Sequence, residues 1–229
     1  MMGEHPHWDP GFGVVFDLDG LLVDSEPVQK MSFNVVLEPL GITLADDDFQ
    51  PLVGHSTLQN FHDLKDRYGI EESVESMLKR KAVAYQALID SHMTAMPGAG
   101  RLVAELEGLG VPTAVASSSA RCDVDRSLAA VGLGAGIDFA VASDEVPRPK
   151  PAPDLYLEAA RGLGLDPKHC VALEDSNAGV QAAHSAGIVC IAVPNLYTRD
   201  QAFEDAALVV DSLEHITVPI LRSLVRTTD

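Results

Sequence analysis

The stretch Gly13-Val14-Val15-Phe16-Asp17-Leu18-Asp19-Gly20 decides how the rest of the chain is read. Its first four residues form a short uncharged apolar run, the pattern of a strand covered on both faces. Two aspartates at i and i+2 follow at once, which puts both carboxylates on one side of an extended chain. Gly20 then permits a sharp backbone turn. Comparable apolar runs recur at Thr113–Ala116, Phe139–Ala142, Cys170–Leu173, Val189–Val193 and Leu208–Val210. Helical patterns lie between them: Leu102, Leu106 and Leu109 share one face, Val124, Leu128 and Val131 another, and Tyr156, Ala159 and Leu163 a third, ended by Gly162 and Gly164. Repeated strand–helix units with apolar strands predict an α/β fold, a doubly wound parallel sheet with right-handed crossovers.

One segment breaks the alternation. Residues 17–112 separate the first apolar run from the second, far more than one crossover needs. Within it, 25–40, 46–69 and 71–91 read as helices, with Asp46 to Asp48 as N-cap and acidic first turn. An inserted α-helical cap domain is therefore expected at 25–94, returning through Met96-Pro97-Gly98. The core domain would comprise 1–24 and 95–229. Hinges are expected near Asp24–Pro27 and Met93–Gly98.

Composition bounds the partners. The 229 residues are 46% apolar and 22% charged, enough to bury a core. The net charge is −18, from 16 basic and 34 acidic residues, which argues against nucleic acid, whose binders need a basic face. Residues 25–94 hold 11 acids and 6 bases, and the remainder 23 and 10. No apolar run reaches the ~20 residues of a membrane span. Residues 1–11 carry acid and proline where a signal peptide needs basic then apolar residues, and read as a solvated lead-in in which His5 and His7 have no fixed role. The cysteines, Cys122, Cys170 and Cys190, are odd in number and lack metal-ligand spacing. Cys170 and Cys190 sit in apolar runs and read as buried free thiols. A monomer in a reducing cytoplasm, without membrane or nucleic-acid contact, is the expectation.

The chemistry-bearing residues fall at strand ends, where ligands bind in open α/β sheets. A carboxylate pair such as Asp17 and Asp19 can split its roles, one ionised as nucleophile and one holding a proton as general acid. Alone, Asp-Leu-Asp-Gly is equally a strand end closed by a turn. Ser117, Ser118 and Ser119 end the second run, where a hydroxyl and backbone N–H groups can hold a phosphoryl oxygen, or a serine can simply cap a helix. No Gly-x-Ser-x-Gly elbow is present, so no serine nucleophile is expected. Lys150 lies between Pro149 and Pro151 before a helix start at Pro153–Asp154, and can offset phosphate charge; an ordinary surface lysine fits the same pattern. Glu174-Asp175 ends an apolar run and suits an oxygen-liganded metal such as Mg²⁺, or an N-cap by Asp175 or Ser176. Each plain alternative stands singly, but accident would have to place all four groups at one sheet edge.

These four motifs, in this order, resemble the haloacid dehalogenase-like hydrolase superfamily over roughly residues 13–211. The helices after Asp24-Ser25-Glu26 resemble the cap of its phosphatase and β-phosphoglucomutase-like branch. The resemblance implies that Asp17 is the nucleophile forming an aspartyl-phosphate. It implies that Asp19 is general acid and base and that Ser117, Ser118 and Lys150 hold the phosphoryl group. Asp17, the Asp19 carbonyl, Glu174 and Asp175 would make the Mg²⁺ site, Asp175 directly and Glu174 through water. Backbone N–H groups around Leu18, Asp19 and Ser118 would complete the phosphate cradle. Three carboxylates and a phosphate dianion against one lysine make metal dependence strict.

Haloacid dehalogenases proper lack the second aspartate and the metal, and phosphonate-cleaving relatives replace that aspartate, so Asp19 argues against both. The mutase pattern carries a histidine where this chain reads Glu26-Pro27-Val28-Gln29, and a cap-loop arginine where it reads Gly54-His55-Ser56-Thr57. The expected function is a Mg²⁺-dependent phosphatase acting on a small phosphorylated metabolite of the sugar-phosphate kind. The alternatives are β-phosphoglucomutase-type transfer and, from another class, a non-catalytic phosphometabolite sensor. Candidate specificity residues are Glu26, His55, Ser56, Thr57, Lys79 and Lys81; Lys79-Arg80-Lys81 also reads as a solvated helix face. Arg121 and Arg148 flank motif loops and suit substrate contact or local turn roles equally.

Overall fold

A computed structural model describes residues 11–53 and 56–225. His5, His7, Gly54 and His55 lie outside the described residues. In chain order the strands are β1 (Gly13–Phe16), β2 (Val23–Asp24), β3 (Thr94–Ala95), β4 (Thr113–Ala116), β5 (Phe139–Val141), β6 (Cys170–Glu174), β7 (Val189–Ala192) and β8 (Leu208–Val209). The helices are α1 (Glu26–Leu37), α2 (Asp46–Phe49), α3 (Thr57–Tyr68), α4 (Val74–His92), α5 (Ala99–Gly108), α6 (Arg121–Ala130), α7 (Asp154–Gly162), α8 (Asn177–Ser185) and α9 (Val218–Leu224). Two compact units result, residues 11–23 with 95–225, and residues 24–94.

The larger unit is a parallel sheet of order β5-β4-β1-β6-β7-β8. The chain winds outward from β1 through β4 to β5, then restarts on the other side at β6. The reversal falls between β1 and β6, where Val14 faces Val171 and Phe16 faces Leu173. β1, β4 and β6 are buried along their whole length. That burial is why their sequences do not alternate, since each fully buried Val, Leu or Phe side chain contributes roughly 1.5–3 kcal/mol. α7 and α8 cover the sheet with small residues, Ala159, Ala160, Ala182 and Ala183. α7 lies so close to β5 that a Cβ on Gly162 would come within 2.3 Å of the Phe139 ring. Cys170 and Cys190 are buried free thiols, and Cys122 is exposed. Among the described residues, no helix is long and apolar enough to cross a membrane.

The smaller unit is helical, with Phe33 packed on Phe49 and Phe61 at ring-centroid distances of 6.2 and 5.1 Å. Segment 46–69, read as one helix, is broken. α2 ends at Phe49, a 3₁₀ turn runs through Gln50–Leu52, and α3 starts at Thr57. Pro51 has no N–H to continue a helix, and Ser56 restarts one by accepting the Gln59 N–H at 3.2 Å. Asp46 to Asp48 do form an acidic first turn, but Ala45 is the N-cap. Leu109 is not on the buried face of Leu102 and Leu106; it caps α5 and is 42% exposed. Lys79-Arg80-Lys81 is not one solvated face either. Lys79 is exposed and pairs with Glu75, whereas Arg80 donates to Glu72 and to the Val36 carbonyl. Lys81 is buried, donates to Gln29 Oε1 at 2.5 Å, and lies over the Phe33 and Tyr85 rings. At helical spacing three consecutive residues point in three directions, so their shared charge says nothing of a shared surface.

Candidate active site

Asp17 continues β1 by donating its N–H to the Leu173 carbonyl at 2.9 Å. The chain then turns tightly. The Leu18 carbonyl accepts from Leu22 and Val23, and Gly20 donates to Val23 at 2.8 Å. Gly20 has φ +80°, and a Cβ there would lie 2.5 Å from Asn195 Nδ2 and 2.7 Å from Asp175 Oδ2. Both the conformation and the space therefore require glycine. Beyond β4, Ser117 is fully buried while Ser118 is exposed. Ser117 accepts the Ser119 N–H at 3.0 Å, and Ser119 Oγ donates to Asp19 Oδ2 at 2.7 Å, with Ser117 Oγ at 3.3 Å. The other Asp19 oxygen, Oδ1, is buried with no hydrogen-bond partner among the described residues.

Lys150 is held by its flanking prolines, in a turn where Ala152 donates to the Pro149 carbonyl. Its ammonium reaches Asp17 Oδ1 and Glu174 Oε1, both at 2.5 Å, and lies 5.2 Å from the Tyr156 ring centroid. Glu174, fully buried, also accepts from Tyr156 Oη at 2.9 Å and from Ser176 N and Oγ. α8 passes so near that a Cβ on Gly179 would fall 1.6 Å from Glu174 Oε1. Asp175 accepts from Asn195 Nδ2 at 2.8 Å through Oδ2. Asp17, Glu174 and Asp175 can each bring one carboxylate oxygen within 4.8 Å of the others.

Three acids and one lysine leave an excess of negative charge out of water. Burial, reinforced by Glu174 against the opposing pull of Lys150, pushes the Asp17 carboxyl up to about 7. Burial and the Asp17 and Glu174 charges hold Asp175 well above the usual range. Burial alone would lower Lys150, but its two carboxylate partners outweigh it and keep the ammonium charged. An all-oxygen donor set with unbalanced charge fits a hard divalent cation such as Mg²⁺.

A family model described as haloacid dehalogenase-like hydrolase matches residues 14–193. The chain belongs to that family. Among its relatives within this hydrolase family, Protein CbbY of Rhodobacter capsulatus is 32% identical over 203 residues, covering 84% of this chain and 89% of that protein. The crystal structure of CbbY from Rhodobacter sphaeroides with phosphate aligns with TM-score 0.77 at 28% identity, covering 89% and 95% of the two chains. A variant of the same protein in complex with xylulose-(1,5)bisphosphate aligns equally. β-Phosphoglucomutase from Clostridium difficile aligns with TM-score 0.74 at 25% identity, covering 93% and 96%.

The predicted core residues Asp17, Asp19, Ser117, Lys150, Glu174 and Asp175 stand at the ends of β1, β4 and β6 and on the loop before α7. Ser118 adjoins them, and its exposed side chain makes no hydrogen bond among the described residues. In the helical unit, Ser56 caps α3, Thr57 begins it and Glu26 begins α1. Arg121 pairs with Glu145 and Asp125, and Arg148 with Asp154. Sequence reasoning missed Ser119, Tyr156, Gly179 and Asn195, and named Ser176 only as the N-cap of the helix after β6, which it is. Ser119 lay in the quoted serine run, and Tyr156 was counted only as an apolar helix position. Asn195 carried no signal, because its meaning depends on β7 ending beside β6.

Proposed function

We propose that this hydrolase is a Mg²⁺-dependent phosphatase that releases phosphate from a small phosphorylated metabolite, of the sugar-phosphate class, through an aspartyl-phosphate on Asp17. One observation carries the reading: Lys150 holds Asp17 by Oδ1, and among the described residues Oδ2 accepts no hydrogen bond, so a lone pair is free at the acidic cluster. Asp17, Glu174 and Asp175 would hold the metal, with the Asp19 carbonyl as a further ligand. When bound, Mg²⁺ supplies positive charge that offsets the carboxylates and the phosphoryl oxygens.

The steps belong to the protein's own side chains. Asp17 Oδ2 attacks phosphorus while the P–O bond to the leaving group breaks. Asp19 gives its proton to the departing oxygen. Its Oδ1, buried and without a partner among the described residues, is the atom left for that exchange, while Ser119 steadies Oδ2. Asp19 then takes a proton from water, the water oxygen attacks phosphorus, and the acyl-phosphate P–O bond breaks to return Asp17. Lys150 and the Ser117 hydroxyl orient the phosphoryl oxygens. The xylulose-(1,5)bisphosphate complex of the CbbY relative supports the sugar-phosphate class.

Asp17→Asn should abolish Mg²⁺-dependent phosphate release from an aryl phosphate; retained turnover in a clean preparation would sink the mechanism. The similarity to β-phosphoglucomutase keeps mutase transfer as the second reading. It predicts glucose 6-phosphate from β-glucose 1-phosphate with bisphosphate added, whereas phosphatase action yields glucose and phosphate.

A further inference from the structure

We infer that Asn195 is a positioning residue for the metal carboxylate Asp175: it takes up Oδ2 with a neutral donor so that Oδ1 stays free and aimed for the cation. The inference rests on the proposed metal role of Asp175. Asn195 follows β7 on a turn whose hydrogen bonds leave it no freedom. Its N–H donates to Thr198 Oγ1 at 3.0 Å, and its carbonyl accepts from Thr198 and Arg199. Its Oδ1 accepts the Tyr197 N–H at 2.8 Å. That contact fixes which end of the amide is which, because only an oxygen can accept it. Nδ2 therefore faces the other way, donating to Asp175 at 2.8 Å and to the Gly20 carbonyl at 3.2 Å. Every polar group of the amide is satisfied, and one residue ties the end of β6 to the turn after Asp19.

The chemistry of the donor matters. Among the described residues Asp175 Oδ1 accepts no hydrogen bond, so the carboxylate is held at one oxygen and open at the other. A lysine or arginine in place of Asn195 would hold Oδ2 as well, but its charge would compete with the metal. An amide fixes the rotamer without cancelling charge. Glycine at position 20 is the other half of the device, since a Cβ there would occupy the space the amide and carboxylate share. Hydrogen-bonding partners of metal-ligating groups typically set 10–100-fold of metal affinity.

The test is Mg²⁺ affinity of the metal-free protein by isothermal titration calorimetry, beside kcat at saturating Mg²⁺. Asn195→Leu keeps the volume and removes the donor. Asn195→Ser keeps an acceptor for the Tyr197 N–H but is too short to reach Asp175, and covers the case in which the leucine variant fails to fold. Both should raise the Mg²⁺ Kd by 10–100-fold, with kcat at saturating Mg²⁺ within a few-fold of the parent. Asp175→Asn is the control. If it removes Mg²⁺ binding while the folded Asn195 variants keep the parental Kd, the positioning role is refuted and the metal site stands. If Asp175→Asn leaves Kd unchanged, the metal assignment itself falls. A loss of kcat at saturating Mg²⁺ with an unchanged Kd would likewise overturn the positioning role.

Discussion

Replacing Lys150 with methionine keeps the unbranched stem as far as Cε and removes the cation that Asp17 and Glu174 share. The cost has two parts, separable by pH. At pH 5.5, Asp17, with its carboxyl at about 7, is protonated. The loss there is the charge-assisted contact to Glu174, about 2–3 kcal/mol. Asp17 behaves differently because its folded value lies above the unfolded 3.8, so ionising it opposes folding. Without Lys150 it rises further and stays protonated at pH 8, where the unfolded chain is ionised. In the parent protein the penalty stops growing near pH 7; in the variant it grows to pH 8. That one extra pH interval is worth about 1.4 kcal/mol. The total at pH 8 then falls within the ~3–5 kcal/mol expected for breaking a buried pair. Urea unfolding of metal-free protein at both pH values measures it. An equal loss at the two pH values would falsify the link between Lys150 and Asp17, and a loss below about 1 kcal/mol at both would refute the buried pair itself.

Other outcomes follow from the same geometry. Metal-free protein should lose stability as pH rises from about 4 to 7, by roughly 4 kcal/mol from Asp17 alone, because the folded state holds the proton that the unfolded chain releases. Asp17→Asn should flatten that slope, and added Mg²⁺ should restore stability at pH 8. In α8, Gly179→Ala should destabilise by about 2 kcal/mol and weaken Mg²⁺ binding, although alanine ordinarily favours a helix, because its Cβ would meet Glu174 at 1.6 Å. A melting temperature at or above the parent's would refute that clash. Ser119→Ala should lower kcat about tenfold by removing the 2.7 Å donor that holds the Asp19 carboxylate; a kcat equal to the parent's would count against it.

The α/β class, the parallel sheet and the Asp17–Gly20 turn were legible in the residues. A strand covered on both faces has to be apolar throughout, and a turn with φ +80° against two side chains has to be glycine. Three polar strand ends and the lysine loop before α7, in a fixed order, were legible for the same local reason: strand, polar cap and helix start are written in nearby residues. Failures came where the deciding partner lies far along the chain. Lys81 looked solvated beside Lys79 and Arg80 until α1 supplied Gln29 and Phe33 to enclose it. Segment 46–69 kept its helical composition, while Pro51 and the competing cap at Ser56 divided it.

Residue order alone determined which elements form and which groups stand at their ends, since both follow from backbone preference and burial over a few neighbouring positions. Tertiary structure decided the state of those groups. Lys150 meets Asp17 across 133 residues and Asn195 meets Asp175 and Gly20 across 20 and 175. Only there do desolvation and close charges combine, raising the Asp17 carboxyl to about 7 and leaving single oxygens of Asp17, Asp19 and Asp175 unengaged. A nucleophile is thus named by its motif but prepared by its neighbours, because dielectric and distance are properties of the folded chain.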